Sequence, residues 1–340
     1  MCATPVFADE YVQFSFEDAV HSFSEGKSAI SADELWQEVW KHLMAQVREN
    51  IGVMLTVFGI CAFYALLSSL EIGFGKNNVS QVAFFVLYMT VVGLCLTAFR
   101  DIADEGKNII ETLTLTQNTV VPLMGTAIIS SGGFGVYSAL APVILVMSNV
   151  ASNVVNLVGM PAVFASLAIN VAGNISPDFH LGALASLIRK SAFWAVTAVM
   201  TVFCALVGVS GIGSGAINGA ALKALKFAAG SMIPVLGSVM SDSVEAVASG
   251  AAALKSAVGA AGMIFIVIRT LFPVLKIAVV VFIYKLTAVL VGIFADKRIT
   301  NVLDGMAQSL GAIAGFAISI SAAMMISLSI LIRASDMGVM

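Results

Sequence analysis

Uncharged runs dominate the chain and set its architecture. Ile51 to Leu70 is a 20-residue run without charge, and Val82 to Phe99 is a second, bracketed by Lys76 and Arg100. A helix needs roughly 20 apolar residues to cross a bilayer, so each run predicts a spanning helix. Residues 101–111 hold four acids and one base and read as a polar loop. From Thr112 to Pro177 there are 66 residues without Asp, Glu, Lys, Arg or His. That is too long for one span, and Pro122, the run Ser130–Gly133, Pro142 and Pro161 interrupt it. The pattern predicts a short broken hairpin followed by one or two full spans. Ser191 to Ser210 spans again. Ser256 to Ala295 is apolar but contains Arg269, Lys276 and Lys285, and predicts two helices broken near Pro273. Ala307 to Ile332 is the last span, closed by Arg333. The expected fold is all-α, a polytopic transmembrane bundle of about seven spans.

The segment before the first run differs. Ser31 with Glu34 fits a capping box. Leu35, Val39, Leu43 and Val47 recur every fourth residue beside Trp36, Trp40 and Met44. This is an amphipathic helix leading into the first span. Its tryptophans sit either at the bilayer interface, which favours such rings, or in a small packed subdomain. At the front, MCATPVFA carries a small-x-small pair, Val6 and Ala8, as at the end of a signal peptide. A start outside the cytoplasm is the expectation.

Composition sharpens this picture. The chain is 59% hydrophobic and 11% charged, against roughly 25% charged in soluble domains. So small a supply of charge cannot cover a water-facing surface, so most of the surface faces lipid. The charge is uneven: residues 9–50 carry nine acids and three bases, the rest eleven acids and fourteen bases. An acidic segment therefore precedes a slightly basic membrane body. By the positive-inside rule Arg189–Lys190 and Lys297–Arg298 are cytoplasmic, with residues 9–50 and 100–118 outside. The few scattered bases do not make a nucleic-acid surface. Cys61, Cys95 and Cys204 lie in uncharged stretches and read as small packing residues. The three histidines, His21, His42 and His180, are too dispersed for a metal site. No Walker A loop, H-E-x-x-H or G-x-S-x-G motif is present, so neither an enzyme nor a resident cofactor or metal is expected.

Two stretches resemble each other. TVVPLMGTAIISS from Thr119 aligns with SMIPVLGSVMSDS from Ser231, pairing Pro122 with Pro234 and Gly125 with Gly237 at an offset of 112. Pro161 pairs with Pro273 at the same offset, and after a six-residue insertion Leu181 onward pairs with Ile299 onward. These prolines are candidate helix breaks, and paired discontinuous helices mark functional sites in duplicated transporters. A helix merely kinked by proline is the plain alternative. The organisation expected is a signal remnant (1–8), an extracytoplasmic helical segment (9–50), and two spans with a polar loop (51–118). Membrane unit 1 (119–210), a Gly-rich connector (211–230) and membrane unit 2 (231–340) follow.

Candidate chemistry rests on charges in apolar context. Arg269 and Lys276 are two helical turns apart, and Asp242 and Glu245 are three residues apart, each pair on one face. A charge at the bilayer centre costs ~2.5–3.5 kcal/mol, so these residues either line a polar path, pair with one another, or lie in loops and at the interface. Gly211, Gly215 and Gly219, and again Gly311 and Gly315, recur every fourth residue and let helices approach closely.

The order of features resembles the stage III sporulation protein AE family of endospore-forming bacteria. The matching stretches are SSGGFGVYSALAPVILVMSN (Ser130–Asn149), LASLIRK from Leu184, LKFAAGSMIPVLGSVMSD (Leu225–Asp242) and FPVLKIAVVVFIYKL (Phe272–Leu286). The resemblance implies a channel or export-gate subunit in the mother-cell membrane, within the complex joining mother cell and forespore and needed for late forespore gene expression. It also implies partners: the membrane and ring proteins of the stage III sporulation A operon and their cytoplasmic ATPase. A non-conducting scaffold and a stand-alone transporter are the alternatives.

Overall fold

The computed structural model describes residues 32–71, 79–130, 133–175, 181–232 and 237–337, without the side chains of 211–258 and of some residues near segment ends. Among the described residues the elements are helical, in the order α1 (Ala32–Glu71), α2 (Val79–Ser130), α3 (Phe134–Val154), a π-helical turn (Val155–Gly159), α4 (Met160–Gly173), α5 (Gly182–Met232), α6 (Gly237–Val291) and α7 (Lys297–Met337). Six stretches of these are long and apolar enough to cross a membrane: Leu43–Leu66, Val82–Ser130, Phe134–Gly173, Gly182–Ser210, Gly259–Val291 and Lys297–Arg333. The chain is thus a multi-pass helical membrane protein with a span count close to the expected seven.

Residues 101–111 do not form a loop. They are the middle of α2, a continuous helix of 52 residues. The reason is amphipathicity. Phe99, Ile102, Ala103, Ile109, Ile110 and Leu113 are buried at helical spacing, while Arg100, Asp104, Lys107 and Glu111 are exposed. Arg100 meets Asp104 and Lys107 meets Glu111 at i,i+4, both at 3.8 Å, which supports the outer face of the helix.

Pro122 and Pro273 do not break their helices either; both lie inside continuous α-helix. Of the candidate breaks within the described residues, only Pro161 coincides with an irregularity. Its nitrogen has no hydrogen to give the Leu157 carbonyl. The preceding turn widens, and Met160 N–H reaches Val155 O instead. The real interruption follows the end of α2 at Ser130: Gly133 N–H bonds Ile128 O at 2.8 Å, and α3 starts at Phe134 and runs back along α2. The ring of Tyr137 then seats against Gly125, where any side chain would collide with it.

The helices run alongside one another over most of their length. α3, the π turn and α4 retrace α2: Asn149 Nδ2 donates to Asn118 Oδ1 (3.2 Å), Phe99 packs on Phe164 (5.8 Å) and Tyr88 OH donates to Val171 O (2.6 Å). α6 is antiparallel to α2, with Tyr284 OH donating to Cys95 O at 2.8 Å near one end and Gly262 against Val120 near the other. α7 folds back on α6, with Thr270 donating to Ser321 at 3.0 Å. The two hairpin turns lie together, because Asn301 reaches Asn174 (3.3 Å) and Arg298 reaches the Ile175 carbonyl (3.4 Å). The core between these rods is a continuous apolar cluster running from Val57 to Leu331.

At 1.5 Å per residue α2 is roughly 78 Å long, more than twice the ~30 Å hydrocarbon core. Its charged middle lies at the height of Lys276 and of Ile313, against which Gly106 packs. Phe193 of α5 stacks on Phe316 at that same height, so Arg189 and Lys190 lie within a turn or so of it. The charged part of α2 and the Arg189–Lys190 pair therefore share one level of the bundle. This corrects the expectation that they face opposite sides of the membrane. The positive-inside argument needed a loop at 100–118, and the structure has a helix there.

Candidate functional site

Charge enters the bundle at its mid-height. Glu105 projects from α2 on the buried side of the amphipathic stripe, between Ile102 and Ile109. Lys276 projects from the middle of the apolar Gly259–Val291 stretch of α6, three residues past Pro273. Their charged atoms meet at 2.6 Å, with the side chains only 18% and 19% exposed. Such a contact is a charge-assisted hydrogen bond, the strong kind in a low dielectric. The acid lies inside the stretch taken from sequence for a loop. Its signal was the 3.6-residue recurrence of Ile, Ala and Leu beneath the charges.

A second polar group follows the seam between α4, α5 and α7. From the hairpin turns inward, Asn301 bonds Asn174, and Asn174 bonds the Asn170 carbonyl at 2.7 Å. The Asn170 amide packs against Gly305, where a Cβ would come within 2.6 Å of it. One turn further in, Gln308 Nε2 donates to Asp304 Oδ2 at 2.5 Å. Gln308 Oε1 accepts from Arg189 Nη2, and Arg189 Nη1 donates to Ser166 Oγ at 3.3 Å. Ser166 in turn donates to the Ala185 carbonyl at 2.7 Å. Arg189 is buried, yet both groups it touches are neutral, and Gln308 stands between it and Asp304. Sequence reasoning placed Arg189 at a membrane surface and missed its partners, Ser166 on α4, 23 residues before it, and Gln308 on α7, 119 residues beyond it.

The other candidate residues are distributed as follows. Arg269 does not join Lys276; its guanidinium lies 5.2 Å over the Phe265 ring, a cation–π contact. Asp242, Glu245, Gly211, Gly215 and Gly219 have side chains or surroundings outside the described residues, as does Pro234. Gly315 does mark a close approach, since a Cβ there would meet Phe193 Cε2 at 2.9 Å, whereas Gly311 has open space beside it. Among the described residues no group of His, Cys, Asp and Glu could hold a metal ion.

Long apolar helices carrying a few buried, internally paired charges define a polytopic membrane protein with a polar interior layer. The particular family follows from comparison: the model of stage III sporulation protein AE matches residues 14–335, and the chain belongs to that family. A curated relative, stage III sporulation protein AE of Bacillus subtilis (strain 168), is 27% identical over 326 residues, covering 96% of this chain and 82% of that protein. No solved structure matches the chain.

Proposed function

We propose that this chain is a channel or export-gate subunit of a sporulation membrane complex joining mother cell and forespore, needed for late forespore gene expression. It sits in the mother-cell membrane and works with the other stage III sporulation A-operon proteins and their cytoplasmic ATPase. The observation that supports it is the Glu105–Lys276 pair at mid-height of the bundle. Burying two charges among apolar helices is costly, and a pair of well-packed apolar residues would stabilise the fold as well or better. A membrane protein that keeps such a pair has a use for charge at that depth, and a polar route is the simplest one. Asp242, Glu245 and Arg269 are proposed as further members of that route.

The dense apolar core of the described bundle favours a second reading, a scaffold that assembles the complex without conducting. One experiment separates the two. The neutral double variant Glu105→Gln/Lys276→Met removes the charges without leaving either unpaired. On the gate reading, the variant assembles with its partners, as judged by co-purification from sporulating cells, but a late forespore reporter stays silent. On the scaffold reading the variant both assembles and supports the reporter, and the gate proposal fails.

A further inference from the structure

We infer that Arg189 is the receptor for a phosphate group, entering from the side of the bundle between α5 and α7, and that Gln308 occupies its place in the structure described. Four observations converge. Arginine offers five N–H donors, and the two Arg189 makes here go to neutral oxygens, Ser166 Oγ and Gln308 Oε1. Gln308 is exposed and can swing outward, while the neighbouring Gly311 leaves open space on α7. Lys190, next on α5, is exposed and adds a second cation at the entrance. Trp194, one turn beyond Lys190 and on the same face of α5, is 73% exposed and offers its indole N–H there as well.

The alternative source of negative charge is Asp304, the carboxylate on this seam. Its Oδ2 is taken by the Gln308 amide at 2.5 Å, so Gln308 stands between the carboxylate and Arg189, while the carboxylate's charge still acts on the guanidinium from beyond it. Displacing Gln308 would exchange a single hydrogen bond to a neutral acceptor for a bidentate guanidinium–phosphate contact, which is stronger. Basic pockets between membrane helices take lipid headgroups by this chemistry. The phosphate could belong to an anionic phospholipid or be free in solution, and the test separates the two.

The full-length protein is purified into phosphatidylcholine nanodiscs, and its thermal unfolding is followed after adding phosphatidylglycerol to the disc or inorganic phosphate to the buffer. A ligand that binds the folded state raises the midpoint. A rise of several degrees with phosphatidylglycerol alone supports the site and assigns the phosphate to lipid. A rise with inorganic phosphate supports it with a soluble anion as the source. The deciding variant is Asp304→Asn/Gln308→Glu. It keeps one carboxylate and one amide on the seam, but places the carboxylate on Arg189. It should fold, and it should lose the rise, as should Arg189→Gln. Lys285→Gln, an exposed cation elsewhere on α6, should keep it. No rise with either probe in the native sequence, or an equal rise in Asp304→Asn/Gln308→Glu, overturns the inference.

Discussion

Glu105 of α2 and Lys276 of α6 touch at 2.6 Å across the middle of the bundle, from positions 171 residues apart in the chain. The pair ties the 52-residue α2 to the antiparallel, 55-residue α6. Removing one partner leaves a charge in a layer less than one-fifth exposed, which costs about 3 kcal/mol for a buried pair. Lys276→Ala should therefore lower the stability of the detergent-solubilised protein by about that amount. The exchange Glu105→Lys/Lys276→Glu should recover most of it. Reversible unfolding in mixed micelles measures both, and equal losses in the single and exchanged variants would show that the two residues are not coupled.

Gly106, next to Glu105, has no room for a side chain, because Ile313 of α7 fills the place of a Cβ. Gly106→Ala should cost about 1–3 kcal/mol through overpacking. Ile313→Ala alone should also destabilise, by leaving a cavity. Together the two changes should cost less than their sum. A double-mutant cycle gives the coupling, and strict additivity would mean the helices do not meet there.

Tyr284 and Cys95 test the same helix pair nearer its other end. The buried Tyr284 hydroxyl donates to the Cys95 carbonyl at 2.8 Å. Tyr284→Phe keeps the ring and loses the bond, so it should cost about 1 kcal/mol in the same unfolding assay. An unchanged midpoint would mean that the carbonyl finds another donor.

The π turn makes a sharper claim about the backbone. Deleting Leu157, which is 76% exposed, should convert the five-residue π turn to ordinary α-helix while α3 and α4 keep their buried faces. The protein should still accumulate in the membrane. Deleting Leu115 from the regular part of α2 rotates everything beyond it by about 100° and should abolish accumulation. Membrane protein levels on an immunoblot distinguish the two.

The membrane class, the helical fold and the family were legible in the uncharged runs and in the order of motifs. What failed has a physical cause in each case. Residues 101–111 looked like a loop because their charges are conspicuous. Those charges sit at the spacing that leaves Ile102, Ile109 and Leu113 on one buried face. Pro122 and Pro273 looked like breaks because proline removes one backbone hydrogen bond. Neighbouring helices pack along the rod and keep it helical through that loss. Lys276 stood out as a charge in apolar context, whereas Glu105 lay among other charges that masked the apolar recurrence of Ile102, Ala103 and Ile109 around it. The Arg189 cluster draws on α4, α5 and α7, and no local pattern announces a contact of that range. In the proposed repeat of 119–210 in 231–340, Pro161 opens α4 after a π turn, whereas Pro273 lies inside the continuous α6.

The central claim is that charge at mid-height of this bundle serves a polar route through the assembled complex. A structure of the complex purified from sporulating cells, at a resolution that shows ordered water, tests it most directly. The account predicts a continuous water-filled path that reaches Glu105 and Lys276. A path that bypasses this subunit, with the pair sealed among apolar side chains, would contradict it.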